Sequence, residues 1–177
     1  MMDPKPTPPE TEPEIKIRLC SEADLPALNK AIPEPGYHER RFEAQQEGTS
    51  SYLLAWIGDI PVGHLNLKWG GSGEPEIHEF VNDCPELNAI GVYPPEMRSH
   101  GIGRKLIATA EAMIKEKGYK QVGIGVETDN DKAKSLYEKL DYVDWGHGIY
   151  PDRWIEKDDQ GNNVQHNDPC YYLIKTL

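Results

Sequence analysis

The run Ile90-Gly91-Val92-Tyr93-Pro94-Pro95-Glu96-Met97-Arg98-Ser99-His100-Gly101-Ile102-Gly103-Arg104-Lys105-Leu106-Ile107 constrains this chain more than any other segment. A short apolar strand feeds a glycine-containing turn that opens directly onto a helix. Gly101 and Gly103 allow a tight turn and close approach of backbone to a ligand. The first N–H groups of the helix have no intrahelical partner and form a natural seat for an anion. Taken alone, Arg98-x-x-Gly101-x-Gly103 also fits an ordinary turn before a surface helix. Two known nucleotide loops do not match: there is no Gly-x-x-x-x-Gly-Lys-Ser/Thr run, and the third glycine of the dinucleotide fingerprint is missing.

With 177 residues the chain has the size of one domain with a substantial core. Residues 1–14 hold five prolines among charged residues and predict a disordered tail, with a single domain over 15–177. Neither a secretory signal nor a membrane-crossing apolar stretch is evident in the sequence, so a cytoplasmic protein is expected. Cys20, Cys84 and Cys170 are widely spaced and suggest reduced structural thiols. The six histidines show no metal-ligand spacing, so no metal is expected. Thirty acidic residues against nineteen basic ones give a net charge of -11, which disfavours nucleic acid and anionic membranes as partners. A polyanionic ligand therefore needs a local basic patch, which Arg98, Arg104 and Lys105 can supply.

Around the glycine turn, the pattern predicts a strand at 15–19, a helix near 22–31 capped by Ser21, and a short helix within 35–48. A β-hairpin follows, pairing 51–56 with 62–68. Residues 69–83 read as a long polar insertion, either lining a cleft or forming a solvated extension. Beyond the strand 86–92, the helix after Gly103 presents Leu106, Ile107, Ala110, Met113 and Ile114 on one face and stops at Gly118. The strand 121–127 alternates Gly123 and Gly125 with branched residues, so one of its faces admits another element or a ligand very close. A helix at 130–139, capped by Asp129 or Asn130, precedes strand-like segments at 142–148 and 170–177, which are separated by a polar excursion. Trp145, His147, Tyr150, Arg153 and Trp154 either help form an acceptor pocket or cover the sheet.

The segment Ile90-Gly91-Val92-Tyr93-Pro94 followed by Arg98-Ser99-His100-Gly101-Ile102-Gly103, with Asn130, Ala133, Leu136-Tyr137 and Lys139-Leu140 downstream, resembles the GCN5-related N-acetyltransferase (GNAT) superfamily. The resemblance covers about 15–142. It implies an α/β fold with a mixed, predominantly antiparallel central sheet flanked by helices and a strand pair that splays at the acyl-CoA site. It also implies acetyl-CoA as donor, contacted by Ile90, Gly91, Val92, Arg98, Ser99, His100, Gly101, Ile102, Gly103, Arg104, Asn130, Ala133 and Tyr137. Asp141 departs from the glycine common at that turn. The acceptor implied is a small-molecule or peptide amine, and a monomer or homodimer is expected.

Amine acetylation requires a neutral amine and stabilisation of charge on the thioester oxygen. The resemblance assigns the second task to the backbone near Val92. It gives Tyr137 the part of protonating or holding the departing thiolate, where the alternative is a core-edge tyrosine. Glu86, six residues before Val92, matches the general-base position of some members, where the alternative is a salt bridge at the strand start. His78, Glu79 and His147 are weaker candidates. A noncatalytic acyl-CoA-binding or protein-interaction domain is the alternative function.

Overall fold

Polar and apolar residues alternate along the central strands, and that alternation sorts the side chains onto two faces of one sheet. The computed structural model describes residues 12–177. Most of the tail expected to be disordered lies outside the described residues. The first three strands, β1 (Ile15–Leu19), β2 (Ser50–Ile57) and β3 (Ile60–Lys68), run antiparallel, with β2 and β3 joined through Gly58 and Asp59. They continue into β4 (Glu86–Val92), β5 (Gln121–Glu127), β6 (Val143–Asp144), β7 (Tyr150–Lys157) and β8 (Asn163–Thr176) in the spatial order β1-β2-β3-β4-β5-β8-β6, with β7 paired to β8. All pairs are antiparallel except β4 with β5. The mixed, mainly antiparallel sheet implied by the family resemblance is the one observed.

One face carries Leu53, Leu65, Leu67, Leu87, Val122, Ile124 and Leu173 against α4 (Ile102–Glu116), whose Ile102, Leu106, Ala110 and Ile114 are buried. The helix α5 (Asp131–Lys139) brings Tyr137, Ala133 and Leu136 to the same core. Gly63 lets α4 lie close to the sheet, since a Cβ there would stand 3.0 Å from Ile102 Cγ2 and from the Gly91 carbonyl. The opposite face carries Tyr52 and Leu54 under α1 (Leu25–Ala31) and α2 (Tyr37–Gln46).

The first predicted helix is split: Glu22–Asp24 form a 3-10 turn, and α1 starts with Pro26 in its first turn, where a missing N–H does no harm. Asp24 accepts from the Ser21 N–H and hydroxyl and pairs with both Arg18 terminal nitrogens. The insertion at 69–83 is not a solvated loop. It contains the short helix α3 (Pro75–His78) and buries Ile77, Val81 and the following Cys84 against Tyr150, Cys170 and Tyr172. Arg153 clasps it by pairing with Glu74 and Glu76. The three cysteines are free and buried.

The polar excursion near the C-terminus is also regular structure: β7 and β8 form a hairpin ribbon, with the Asp158–Asn162 turn closed by the Asp158 carboxylate accepting from Gln160 and Asn162 N–H groups. Correspondingly, the expected strand at 142–148 shrinks to Val143–Asp144. No apolar alternation marks these residues because most of the ribbon is exposed on both faces. Cross-strand pairs hold it instead, with Trp154 stacked 3.9 Å from His166.

Candidate active site

Two features of β4 make an opening in the sheet. Asn66 pairs with Asn88 but His64 pairs with Gly91, so β4 holds one extra residue, and Ala89 adopts φ 50. This is a bulge, which bends a strand and re-aims the residues after it. On the other edge, β4 and β5 pair only at Glu86–Gly123 and Leu87–Ile124. Beyond Leu87 the parallel strands separate, as the splayed pair implied by the family resemblance.

The wider end of that gap leads to the glycine turn. Arg98 is extended at φ -67, while Ser99 and Gly101 take φ 66 and 81. Gly101 is the N-cap of α4 and offers no side-chain cap, and the first described intrahelical bond at this end runs from Lys105 N–H to the Gly101 carbonyl at 3.1 Å. The N–H groups of Ile102, Gly103 and Arg104 thus lead the helix with its positive dipole end. Arg98, Ser99, His100 and Arg104 are exposed around it, and Ile102 is buried as the anchor. His100 Nδ1 donates to the Arg98 carbonyl at 2.9 Å, so this ring braces the turn. Arg98 Nε lies 3.4 Å from the Val92 carbonyl. Gly91 is required by packing: a Cβ there would meet His64 Nε2 at 2.6 Å and the Tyr93 ring at 2.8 Å. Ile90 and Val92 pack partly buried against the core.

Across the gap stands α5. Asn130 Oδ1 accepts from the Ala133 N–H at 3.1 Å, which settles which residue caps this helix. Tyr137 is buried against the main core, its ring 6.1 Å from that of Tyr142, and burial alone pushes its hydroxyl up to about 12. Tyr142 donates to Glu111 at 2.8 Å. Asp141 takes φ 71, the left-handed turn geometry that glycine would supply more easily.

The second face of β4 is polar, buried at Glu86 and half-buried at Asn88. Directly opposed residues share a face, so the register aligns Ser50, Lys68, Glu86 and Gly123 in one row, Tyr52, Asn66 and Asn88 in the next, and Leu54, His64 and Gly91 in a third. Glu86 is 5% exposed; its Oε1 lies 3.5 Å from Lys68 Nζ, and among the described residues its Oε2 has no hydrogen-bond partner. Burial raises its pKa, with the Lys68 charge acting in the opposite sense. His64 is buried among Tyr37, His38, Tyr52 and Tyr93, and desolvation lowers its pKa to about 3, which keeps it neutral. His38 Nε2 donates to the Ile32 carbonyl at 2.8 Å, so its Nδ1 accepts from the Tyr52 hydroxyl.

The glycine face of β5 turns out to receive another element of the chain. A Cβ on Gly123 would lie 2.1 Å from the Tyr172 hydroxyl, and one on Gly125 would lie 2.1 Å from that of Tyr150. Both tyrosines are buried, and they place two hydroxyls beside the Glu86 row. Of the C-terminal aromatics, Tyr150 covers the sheet with Trp145 against it, His147 stacks 3.9 Å from Phe80, and Trp154 stays on the ribbon. His78 and Glu79 are exposed at the end of α3.

Residues 18–142 match the model of the acetyltransferase (GNAT) family. The chain belongs to the GNAT family. Curated relatives include the mycothiol acetyltransferases of Kocuria rhizophila, 31% identical over 57% of this chain and 34% of that protein, and of Geodermatophilus obscurus, 30% identical over 53% and 29%. The chain thus spans about a third of the length of the curated relatives it matches. Among solved structures, the GNAT fold is shared with the ribosomal-protein-alanine N-acetyltransferase of Brucella melitensis, at TM-score 0.64 and 20% identity over 92% of this chain and 99% of that one. It is also shared with a GNAT acetyltransferase of Elizabethkingia anophelis with acetyl-CoA bound, at TM-score 0.59 and 19% identity over 92% and 98%.

The GNAT turn, Tyr137 and Glu86 were legible as candidates. Lys68, Asn66, His64 and Tyr172 were not, although one signal was present. In His64-Leu65-Asn66-Leu67-Lys68 a polar residue alternates with leucine on a strand buried on both faces, so the polar face must either be satisfied internally or meet a ligand.

Proposed function

We propose that this chain is an acetyl-CoA-dependent N-acetyltransferase that transfers the acetyl group directly to a primary amine within a ternary complex. The observation that carries the reading is the construction of β4. One strand leads, through its bulge and splay, to the uncapped start of α4, and it begins with a buried carboxyl whose Oε2 is unpartnered. Family membership and a structural neighbour with acetyl-CoA bound support the same donor.

In this reading the N–H groups of Gly101, Ile102, Gly103 and Arg104 and the side chains of Arg98 and Arg104 hold the donor's pyrophosphate, with Ser99 and His100 shaping the turn. Ile90, Gly91 and Val92 line the path of the pantetheine arm, and Ala133 and Asn130 form its other wall. The donor supplies an acetyl thioester. Backbone N–H near Val92 stabilises charge on the thioester oxygen, which a water-excluded site makes more effective. Glu86 accepts the amine proton, directly or through water, at Oε2. Tyr137, kept protonated by burial, holds or protonates the departing sulfur. The buried thiols have no part: burial pushes Cys84 and Cys170 up to about 12, so neither offers a thiolate nucleophile near neutral pH.

Calorimetric titration of acetyl-CoA into the protein, followed by mass spectrometry of amine mixtures incubated with both, tests this. Saturation near one acetyl-CoA per chain with an N-acetyl product is expected. Saturable binding without product from any amine points instead to a domain that only binds acyl-CoA, and absence of binding up to millimolar concentration overturns the reading.

A further inference from the structure

The chain carries a net charge of -11, yet a cleft of about 810 Å³ on the polar face of β3 and β4 is lined by Arg41 and Lys68 and, among the described residues, by no carboxylate. The rest of its polar lining includes Ser50, Asn66, Asn88 and Ser72. Several of these groups lack an internal partner. Ser50 Oγ and Asn66 Oδ1 are buried without a hydrogen bond, on residues 5% and 6% exposed, and so is Arg41 Nε. The Arg41 guanidinium lies 4.0 Å over the Tyr37 ring, which orients it, and among the described residues no carboxylate forms a salt bridge with it. Leaving so many buried polar groups unmatched costs stability unless water or a ligand satisfies them.

The cleft adjoins the candidate base, because Lys68 lines it and also faces Glu86 at 3.5 Å. On the far side of Glu86 the sign of charge reverses. Asp152 is opposed to Asp168 across β7 and β8, and Glu127 has its pKa raised by burial and by Asp168, Asp129 and Asp152. The face is therefore dipolar, with cations toward α2 and acids toward the ribbon.

We propose that the cleft at Arg41 holds a carboxylate of the acceptor, so that the substrate class is an amine that also bears a carboxylate, as amino acids do. Arg41 offers a planar fork suited to carboxylate, Ser50 adds a hydroxyl donor, and Asn66 Oδ1 accepts an N–H from the same molecule. The acidic side attracts the ammonium end and orients it toward Glu86. This rests on the acyltransferase reading of the same face, but it concerns the groups that select the acceptor.

Pairs of acceptors that differ only in the carboxylate test it: L-lysine against cadaverine and L-phenylalanine against phenethylamine, with acetyl-CoA as donor. The wild-type protein is expected to favour the carboxylated member at least tenfold in kcat/KM. Arg41→Gln should erase that preference by lowering only the carboxylated member, and Ser50→Ala should weaken it in the same direction. Equal use of both members, or an equal loss on both in Arg41→Gln with an unchanged melting temperature, overturns the proposal. Should no amine be acetylated, calorimetry with N-acetyl-L-phenylalanine and N-acetylphenethylamine in the presence of CoA decides the matter without turnover. Binding of the acid alone, lost in Arg41→Gln and weakened in Ser50→Ala, upholds the proposal. Binding of both alike or of neither overturns it. The acetyl-CoA titration separately decides whether the donor site exists.

Discussion

The two halves of the candidate site are built by different means. The seat proposed for the donor's pyrophosphate is a contiguous segment, Val92 to Arg104, whose chemistry is mostly backbone: left-handed residues at Ser99 and Gly101 and the leading N–H groups of α4. The cleft proposed for the acceptor is assembled from side chains on α2, β2, β3 and β4, brought together by strand register. A backbone site depends on a few glycines and tolerates exchange of its side chains. A register-built site depends on the identity of each row and on the burial that isolates it from water.

Glu86→Gln puts the largest strain on this contrast, since it removes a proton acceptor while leaving the donor half untouched. A loss of about 100-fold or more in kcat/KM is expected, at the lower end of what a general base contributes, with acetyl-CoA affinity unchanged by calorimetry. The pH profile gives a second reading. Glu86 must be ionised to accept a proton, and burial raises its pKa. Activity should therefore rise with pH through a value above the usual carboxylate range, and that acidic limb should disappear in Glu86→Gln. A full-strength enzyme with Gln at this position would reduce Glu86 to the strand-start salt bridge with Lys68.

Gly91→Ala tests the seam between the halves. The added methyl would have to displace His64 or Tyr93, which approach to 2.6 and 2.8 Å. Overpacking of this kind costs about 1–3 kcal/mol, measurable by urea unfolding. Measured in a His64→Ala background, the same Gly91→Ala change should cost much less if the His64 ring is the obstacle.

Sequence reading succeeded where the information was local. The glycine turn, the amphipathic α4 and a cap at Asp129 or Asn130 are each readable from neighbours within a few residues, and the structure chooses Asn130. It stalled where position along the chain says little about position in space. Arg41 and Lys68 lie on α2 and β3, and only the folded sheet places them around one cleft. The alternate glycines of β5 announced a close approach, but Tyr172 is its partner through register with β8, and Tyr150 through a hairpin without an apolar pattern. The insertion at 69–83 read as polar because its apolar residues are few and scattered, and the partners that bury Ile77 and Val81 are the C-terminal strands, far off in sequence.

On the donor side the corresponding experiment is Arg98→Ala. If the seat is chiefly backbone, the loss should be modest, about tenfold in acetyl-CoA affinity, equal to about 1.4 kcal/mol. It should shrink further at high salt, because an exposed charge contact is screened. A loss as large as that from Glu86→Gln would contradict the view that backbone groups carry this half.

The smallest effect expected lies in the roof over the acceptor face, where it separates stability from chemistry. The bonds from Arg18 hold the Asp24 carboxyl down at about 2, well below its ordinary range, although Arg18 itself is 48% exposed and solvent screens the pair. A carboxyl whose pKa is depressed by folding stabilises the native state above its unfolded pKa, and that contribution fades as pH falls through the folded value. Asp24→Asn should therefore lower stability by about 1 kcal/mol at neutral pH, and its denaturation curve should converge with the wild type as pH approaches 2. Acetylation kinetics at neutral pH should stay unchanged in a folded Asp24→Asn protein, because the capping turn fixes the start of α1 without touching Arg41, Lys68 or Glu86. A selective fall in kcat/KM for carboxylated acceptors would instead couple α1 to the register-built half of the site.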